Sequence, residues 1–224
     1  MKREIIITGD GSSTIHIPEW NEQYHSKHGA LQEAKHVFID MGLKPAFNKD
    51  ENAEIAILEI GFGTGLNALV TWEEANKNSR KINYTGVEAY PVAKEEVEKL
   101  NFSEILEDAE AIKFFDKIHK TEWEIKLPIT PFFQLIKQKK FFQDIEDLEL
   151  YDLIYFDAFG ARVQPELWSV EIFKKMFNAL KDNGVLVTYA AKGSVRRAML
   201  EVGFVVERLP GPPGKREMLR ATKK

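Results

Sequence analysis

The stretch from Ile55 to Asn67 constrains this chain more than any other. Ile55-Ala56-Ile57-Leu58-Glu59-Ile60 is a short apolar run with one acid near its end. Gly61, Gly63 and Gly65 follow at alternate positions, and a helix-forming segment begins at Leu66. A continuous apolar run of this length predicts a strand buried on both faces, as in a parallel sheet. Glycines let the backbone turn sharply and come close to a ligand. The helix behind them aims its free N-terminal amides at whatever lies over the loop. The stretch therefore predicts a strand–loop–helix unit that cradles a cofactor.

The rest of the chain supplies the sheet around it. Residues 4–17 predict two strands, Glu4–Thr8 and Thr14–Ile17, about a Gly/Ser turn. Ala30, Ala34, Val37, Phe38 and Met41 recur at helical spacing, which predicts a helix over 22–41 that ends at Gly42 and Pro45. Asn48–Ala53 is a polar loop. After a helix over 66–76, Ile82–Glu88 predicts a second strand ending in an acid, and 92–120 a largely helical, amphipathic segment. Residues 121–150, with Pro128, Pro131 and two Phe pairs, give no clear pattern. Tyr151–Phe156 is a further buried strand, ending at Asp157-Ala158-Phe159. A helix from Pro165 to about Leu180, a turn at Asn183-Gly184, a strand over Val185–Ala190 and a helix over Ser194–Glu201 follow. Two last strands, Phe204–Arg208 and Arg216–Thr222, flank a Pro/Gly loop. Alternating strands and helices predict an α/β fold of the Rossmann-like kind. The final short connection reverses one strand near the edge of a mostly parallel sheet, the arrangement of class I methyltransferases. Residues 1–52 are expected as an extension packed on the core, and 53–224 as the Rossmann-like domain.

Composition enters as a bound. With 224 residues, one compact unit is the first expectation. The absence of cysteine excludes disulfides, thiolate nucleophiles and cysteine metal sites, and no metal site is expected. No segment is long enough to span a membrane, and the apolar run at residues 5–7 is too short for a signal peptide, so the cytoplasm is the expected place. Charge is unevenly spread. From Gly160 onward there are 13 Lys/Arg against 6 Asp/Glu, while residues 1–159 hold 18 against 29. A basic C-terminal third on an acidic body is either a nucleic-acid face or an unevenly charged solvated surface.

Three positions lie just past the ends of predicted strands, where open α/β sheets bind ligands: the loop 61–65, Glu88 and Asp157. Glu88 suits a pair of ribose hydroxyls. The loop reads Gly-x-Gly-x-Gly, and the acid Glu59 before it would repel a pyrophosphate while suiting an ammonium. That favours S-adenosylmethionine over a dinucleotide. Asp157 either caps the next segment or faces the transferred methyl group. In the second role a carboxylate orients an acceptor amine and helps remove its proton.

Leu58-Glu59-Ile60-Gly61-Phe62-Gly63-Thr64-Gly65-Leu66-Asn67, Phe156-Asp157-Ala158-Phe159, Pro165-Glu166-Leu167-Trp168 and Gly214-Lys215-Arg216-Glu217-Met218-Leu219 resemble the methyltransferase module of bacterial tRNA wobble-uridine modification. So does Tyr24-His25-Ser26 with Gly29-Ala30, Glu33 and His36-Val37-Phe38. The resemblance implies methylation of the 5-aminomethyl amine of 2-thiouridine in tRNA. It implies Glu59, Gly61, Gly63, Gly65, Asn67 and Glu88 at the cofactor, with Tyr24 and Glu33 closing over its methionine end. It implies Asp157 at the acceptor amine, Phe159 shaping the pocket, and Arg196, Arg197, Lys215 and Arg216 meeting tRNA phosphate. His25 either serves as a base or, as a structural residue, hydrogen-bonds its neighbourhood.

Two departures stand out. The expected third core strand, around Leu135–Lys140, ends without the acid that usually reaches adenine. Many family members also carry a flavin-dependent oxidase module, which is not found in these 224 residues, so a monofunctional enzyme fed by a separate oxidase is expected. Rival readings are transfer of an aminopropyl or methyl group to a small amine, and a non-catalytic tRNA- or cofactor-binding protein.

Overall fold

The computed structural model describes residues 2–48 and 53–224. The chain opens with a small antiparallel sheet of β1 (Glu4–Ile7), β2 (Ser13–Ile17) and β3 (Glu22–Gln23), with β2 in the middle. The helix expected over 22–41 begins only at Ala30. Glu22 and Gln23 are held extended by pairing with Ile17 and His16, and Arg162 donates to the carbonyls of Trp20 and Asn21. From Ala30 the chain is helical to Phe47: α1 (Ala30–Ala34), a π-helical stretch Lys35–Leu43, and α2 (Lys44–Phe47). Gly42 and Pro45 do not end it. Gly42 packs on the main sheet, where a Cβ would meet Val187 Cγ2 at 3.0 Å. Pro45 lies just past the π-helical stretch, and the helix runs on for only two residues beyond it. The polar loop expected over Asn48–Ala53 falls largely on residues 49–52, outside the described residues.

The main sheet is built around β4 (Ile55–Ile60), followed by α3 (Leu66–Lys77) and β5 (Ile82–Val87). The segment 92–120 is helical in three pieces: α4 (Lys94–Val97), α5 (Phe102–Ile105) and α6 (Ala109–Lys120). The stretch that gave no pattern resolves into β6 (Leu127–Thr130) and β7 (Phe133–Gln138), with a 3₁₀ turn at Phe142–Asp144. Then come β8 (Tyr151–Phe156), a 3₁₀ turn Pro165–Trp168, α7 (Val170–Ala179), β9 (Leu180–Thr188), α8 (Gly193–Val202), β10 (Val205–Pro210) and β11 (Glu217–Thr222). Asn183-Gly184 is a bulge inside β9, not a turn before it. Asn183 has φ 61° and its amide donates to the Lys223 carbonyl, so the bulge stays hydrogen-bonded.

The strand order is β10-β11-β9-β8-β4-β5-β7-β6. The five strands from β9 to β7 run parallel. β11 is reversed between β9 and β10, with Val205 opposite Thr222 and Leu219 opposite Thr188. This is the expected class I methyltransferase sheet, with antiparallel β6 added at the far edge. One core lies under α1–α2, α3 and α6, and a second under α7 and α8. Ile57, Leu58, Ile154 and Tyr155 are fully buried, as expected of central parallel strands covered on both faces. Among the described residues no helix is long and apolar enough to cross a membrane.

Candidate active site

The C-terminal ends of β4, β5, β7 and β8 open onto a cavity of about 500 Å³. The loop after β4 forms its floor. Gly61 has φ 89°, and a Cβ there would lie 2.7 Å from the Asp157 carbonyl, so only glycine lets the loop pass the end of β8. Gly63 (φ 47°) faces the cavity under the Tyr24 ring, whose Cδ1 a Cβ would meet at 3.2 Å. Gly65 (φ 75°) does not reach it. It turns toward α6, where a Cβ would lie 3.0 Å from His119 Nε2. Two of the three loop glycines thus belong to the cavity, and the third to helix packing.

Acids surround this floor. Glu88 lies at the cavity wall and accepts from the amides of Gly63 (3.1 Å) and Tyr90 (2.9 Å). Burial nevertheless holds its carboxyl above the usual range. Glu59 is 1% exposed and accepts from Asn67 Nδ2 (2.9 Å) and the Tyr84 hydroxyl (2.8 Å). Burial keeps its proton affinity well above normal. The same Asn67 nitrogen donates to Asp157 Oδ2 at 2.8 Å, so one amide bridges two acids. Asn67 Oδ1 is buried and has no partner among the described residues. Burial, then the nearby Glu33 carboxylate, pushes Asp157 up to about 7; Asn67 and Lys215 act in the opposite direction.

The N-terminal segment roofs the cavity. The Phe159 ring packs edge-on against Tyr24 (4.9 Å) and Trp20 (5.6 Å). Burial lifts the Tyr24 hydroxyl to about 12, which leaves it protonated. His25 is locked between two threonines, with Nδ1 3.0 Å from Thr14 Oγ1 and Nε2 3.2 Å from Thr64 Oγ1. Burial drops it to about 3. A neutral ring with both nitrogens engaged joins the small sheet to the glycine loop and is not placed to act as a base. Glu33, also buried, accepts from the Ser26 amide at 2.8 Å and pairs with Lys215.

The structure brings Tyr24, Glu33, Glu59, Gly61, Gly63, Asn67, Glu88, Asp157 and Phe159 to one place. Lys215 joins them from the loop before β11 and turns inward to Glu33 instead of outward. Arg196 and Arg197 lie in the first turns of α8, outside the cavity. Arg216 is exposed beside Lys192 in a shallow groove that Lys215 and Tyr189 also line. Lys192, Arg197 and Arg216 form no ion pair among the described residues. Sequence reasoning missed Trp20, Tyr189 and the end of β7. There Phe141 and Gln143 line the cavity opposite Tyr90. Only the Phe141-Phe142 pair carried a signal, and an aromatic pair points more often to core than to a site.

Basic side chains that would hold a pyrophosphate are scarce in this cavity. Arg3 is paired with Glu96, and Lys215 with Glu33. A cationic, phosphate-free nucleoside fits the donor set better, with Glu88 for its ribose, aromatic edges at Tyr90 and Phe141, and acids around its charged end.

Fold and site together define a nucleoside-dependent group-transfer enzyme on a class I methyltransferase sheet. Residues 92–224 match the family described as S-adenosyl-L-methionine-dependent methyltransferase, and the chain belongs to that family. Its cofactor is S-adenosylmethionine. The chain is 28% identical to the tRNA 5-methylaminomethyl-2-thiouridine biosynthesis bifunctional protein MnmC of Polaromonas naphthalenivorans, over 95% of this chain and 34% of that protein. It is 30% identical to the protein of the same description from Leptospira interrogans, over 96% of this chain and 34% of that one. It therefore spans about a third of the length of these curated relatives. The crystal structure of MnmC2 from Aquifex aeolicus superposes with a TM-score of 0.80 at 24% identity, covering all of this chain and 70% of that one. A probable spermidine synthase from Corynebacterium glutamicum superposes at 0.54 and 17% identity, over 98% of this chain and 76% of that one. Both likenesses are of fold.

Proposed function

We propose that this methyltransferase acts on a primary amine carried by RNA, the 5-aminomethyl group of a wobble 2-thiouridine in tRNA. The observation that carries the proposal is Asp157, a largely enclosed carboxylate at the mouth of the sheet beside an aromatic wall. S-adenosylmethionine, when bound, supplies an electrophilic methyl group on a sulfonium. Glu88 would take its ribose hydroxyls, Gly61 and Gly63 would lie under it, and Tyr24 and Glu33 would close over its methionine end. Residues 1–52 act in this scheme as a lid on the Rossmann-like domain.

An aliphatic amine arrives protonated and in that form has no lone pair to offer. Asp157 orients the ammonium through a charge-assisted hydrogen bond. With a proton affinity near neutrality, it also accepts the proton that frees the lone pair. Once that proton has passed on to solvent, the restored carboxylate stabilises the cation that forms on nitrogen. Trp20, Phe159 and Tyr24 offer edges and faces against which an extruded uracil base packs. Arg196 and Arg197, in the first turns of α8, and Arg216, in the groove beside Lys192, would meet phosphates of the anticodon strand. The relatives' names support the substrate, and the resemblance in motifs around Asp157 supports its position. An oxidase activity supplies the free amine in this scheme, and the cytoplasm is the compartment where the two would meet.

The decisive experiment is incubation with labelled S-adenosylmethionine and tRNA from cells lacking this modification, followed by nucleoside analysis. The expected product is 5-methylaminomethyl-2-thiouridine. Label that appears only on added polyamine, or on no acceptor, overturns the proposal.

A further inference from the structure

Amine methylation by Asp157 leaves Lys215 without a role, yet Lys215 reaches into the site. Its ammonium pairs with Glu33, whose side chain is 8% exposed. It also stands 3.9 Å from the centroid of the Tyr189 ring. The Tyr189 hydroxyl in turn donates to the Ala158 carbonyl at 2.8 Å, one residue beyond Asp157. Glu33, Tyr189, Lys215, Asn67 and Asp157 line one cavity of about 290 Å³ that adjoins the larger one. A side chain meant for a nucleic-acid backbone would be expected to point to solvent. This one is two-thirds buried between an acid and an aromatic face.

We propose that Lys215 is a positioning residue of the active site: its ammonium, held between Glu33 and the Tyr189 ring, offsets the Glu33 charge beside Asp157. The inference rests on the reading of Asp157 as the acid that handles the acceptor amine.

Every neighbour of Asp157 enters the balance. Glu33 comes from α1 and raises its proton affinity, while Lys215, from the loop before β11, lowers it. Glu59 of β4 and Tyr84 of β5 connect to it through Asn67. Tyr189, just past β9, and Tyr24 stay protonated, because burial raises both hydroxyls. His25 is neutral. Glu22, Lys27 and His28 also line the smaller cavity; Glu88 and Arg3 lie on the wall of the larger one, and Arg3 is tied to Glu96. Without the Lys215 charge, the Glu33 carboxylate in the same cavity acts on Asp157 unopposed. A like charge left unbalanced favours the neutral form of Asp157 up to a higher pH. Asp157 would then be protonated, and unable to accept from the amine, over a wider range.

The test compares wild type, Lys215→Met, Lys215→Arg and Lys215→Met with Glu33→Gln. Carbon NMR titration of the aspartate carboxyls, assigned with Asp157→Asn, reads Asp157 in the free protein. Its midpoint should rise by roughly one to three pH units in Lys215→Met. It should return toward wild type in Lys215→Arg and in the double variant. The acidic limb of kcat at saturating tRNA should move the same way, with tRNA affinity unchanged within about threefold. An unmoved titration midpoint in a folded Lys215→Met overturns the inference. So does a loss of tRNA affinity and salt slope with no change in the limb, which would make Lys215 an RNA contact. The titration needs no acceptor, so a wild type that methylates no tRNA defeats the functional reading and leaves this inference to be decided by the NMR result.

Discussion

Asn67 has two amide hydrogens and gives both to carboxylates, one on Glu59 and one on Asp157. That arrangement lets two acids crowd one corner of the site around a single neutral side chain. It also makes the charge of Asp157 the quantity to test. Asp157→Asn keeps the shape and an oxygen to accept from Asn67, but removes the base. Methyl transfer should be lost, while calorimetry should find cofactor affinity within about tenfold, or 1.4 kcal/mol. A fully active variant would sink the amine-handling role. The same substitution has a stability signature. A carboxyl raised to about 7 in the fold stabilises the protein fully only below its unfolded value near 3.9. That contribution fades as pH rises through 7. The Asn variant should therefore melt higher than wild type, by a margin that grows between about pH 4 and 7 and is constant above. A margin independent of pH would show that Asp157 is not raised. Glu59, Glu88 and Asp157 could be found in the sequence because each lies at or just past the end of a predicted strand. Lys215 could be found but not placed, since nothing local says that a loop lysine turns inward to an acid 182 positions away.

At the scale of elements, the central strands were legible and the helical ends were not. β4 and β8 are mostly apolar runs, β5 is a mixed strand that ends in buried Val87 before an acid, and the boundaries of all three fall within a residue of those expected. The start of α1 was misplaced because the apolar spacing after Ala30 has no competing signal upstream. Residues 22–23 are held extended by pairing with β2 and by the guanidinium of Arg162, both distant in sequence or invisible to periodicity. The loop glycines carry a related lesson. Gly61, Gly63 and Gly65 all have positive φ, so all look alike to a sequence pattern. Only the fold shows that Gly65 makes room for α6. β7 was obscure because its strand alternates exposed and buried residues and carries Lys137 at a buried position. That lysine is satisfied by the Ile118 carbonyl at the end of α6 and by the Trp123 face, and burial lowers it to about 8.

For the molecule as a whole, charge separation is the feature with the widest reach. The acidic groups gather around the cavity, and the exposed cations Lys192, Arg197 and Arg216 lie beyond it. A polyanion approaching that rim would be drawn to its edge and excluded from its depth, while a cationic side group would be admitted. Arg197→Glu with Arg216→Glu should weaken tRNA binding and flatten its dependence on salt by up to about two ions, read as the slope of log affinity against log salt. An unchanged slope would reduce the rim to ordinary surface. The π-helical stretch Lys35–Leu43 has a different whole-molecule consequence. Glu33 and Gly42 both face inward, one to the site and one to β9, although nine α-helical steps would set them half a turn apart. With its longer hydrogen-bond reach, the stretch turns less per residue. Eight ordinary α steps, about two and a quarter turns, end close to where the nine observed ones do. The segment thus stores one spare residue. Deleting exposed Asp40 should give an ordinary helix with both ends still in phase, melting within a few degrees of wild type. The same deletion at Asn76 in α3 should rotate the last turn of that helix and its exit by about 100° and fail. In evolutionary terms, the roof of the site can shorten by one residue at Asp40 without turning either face away.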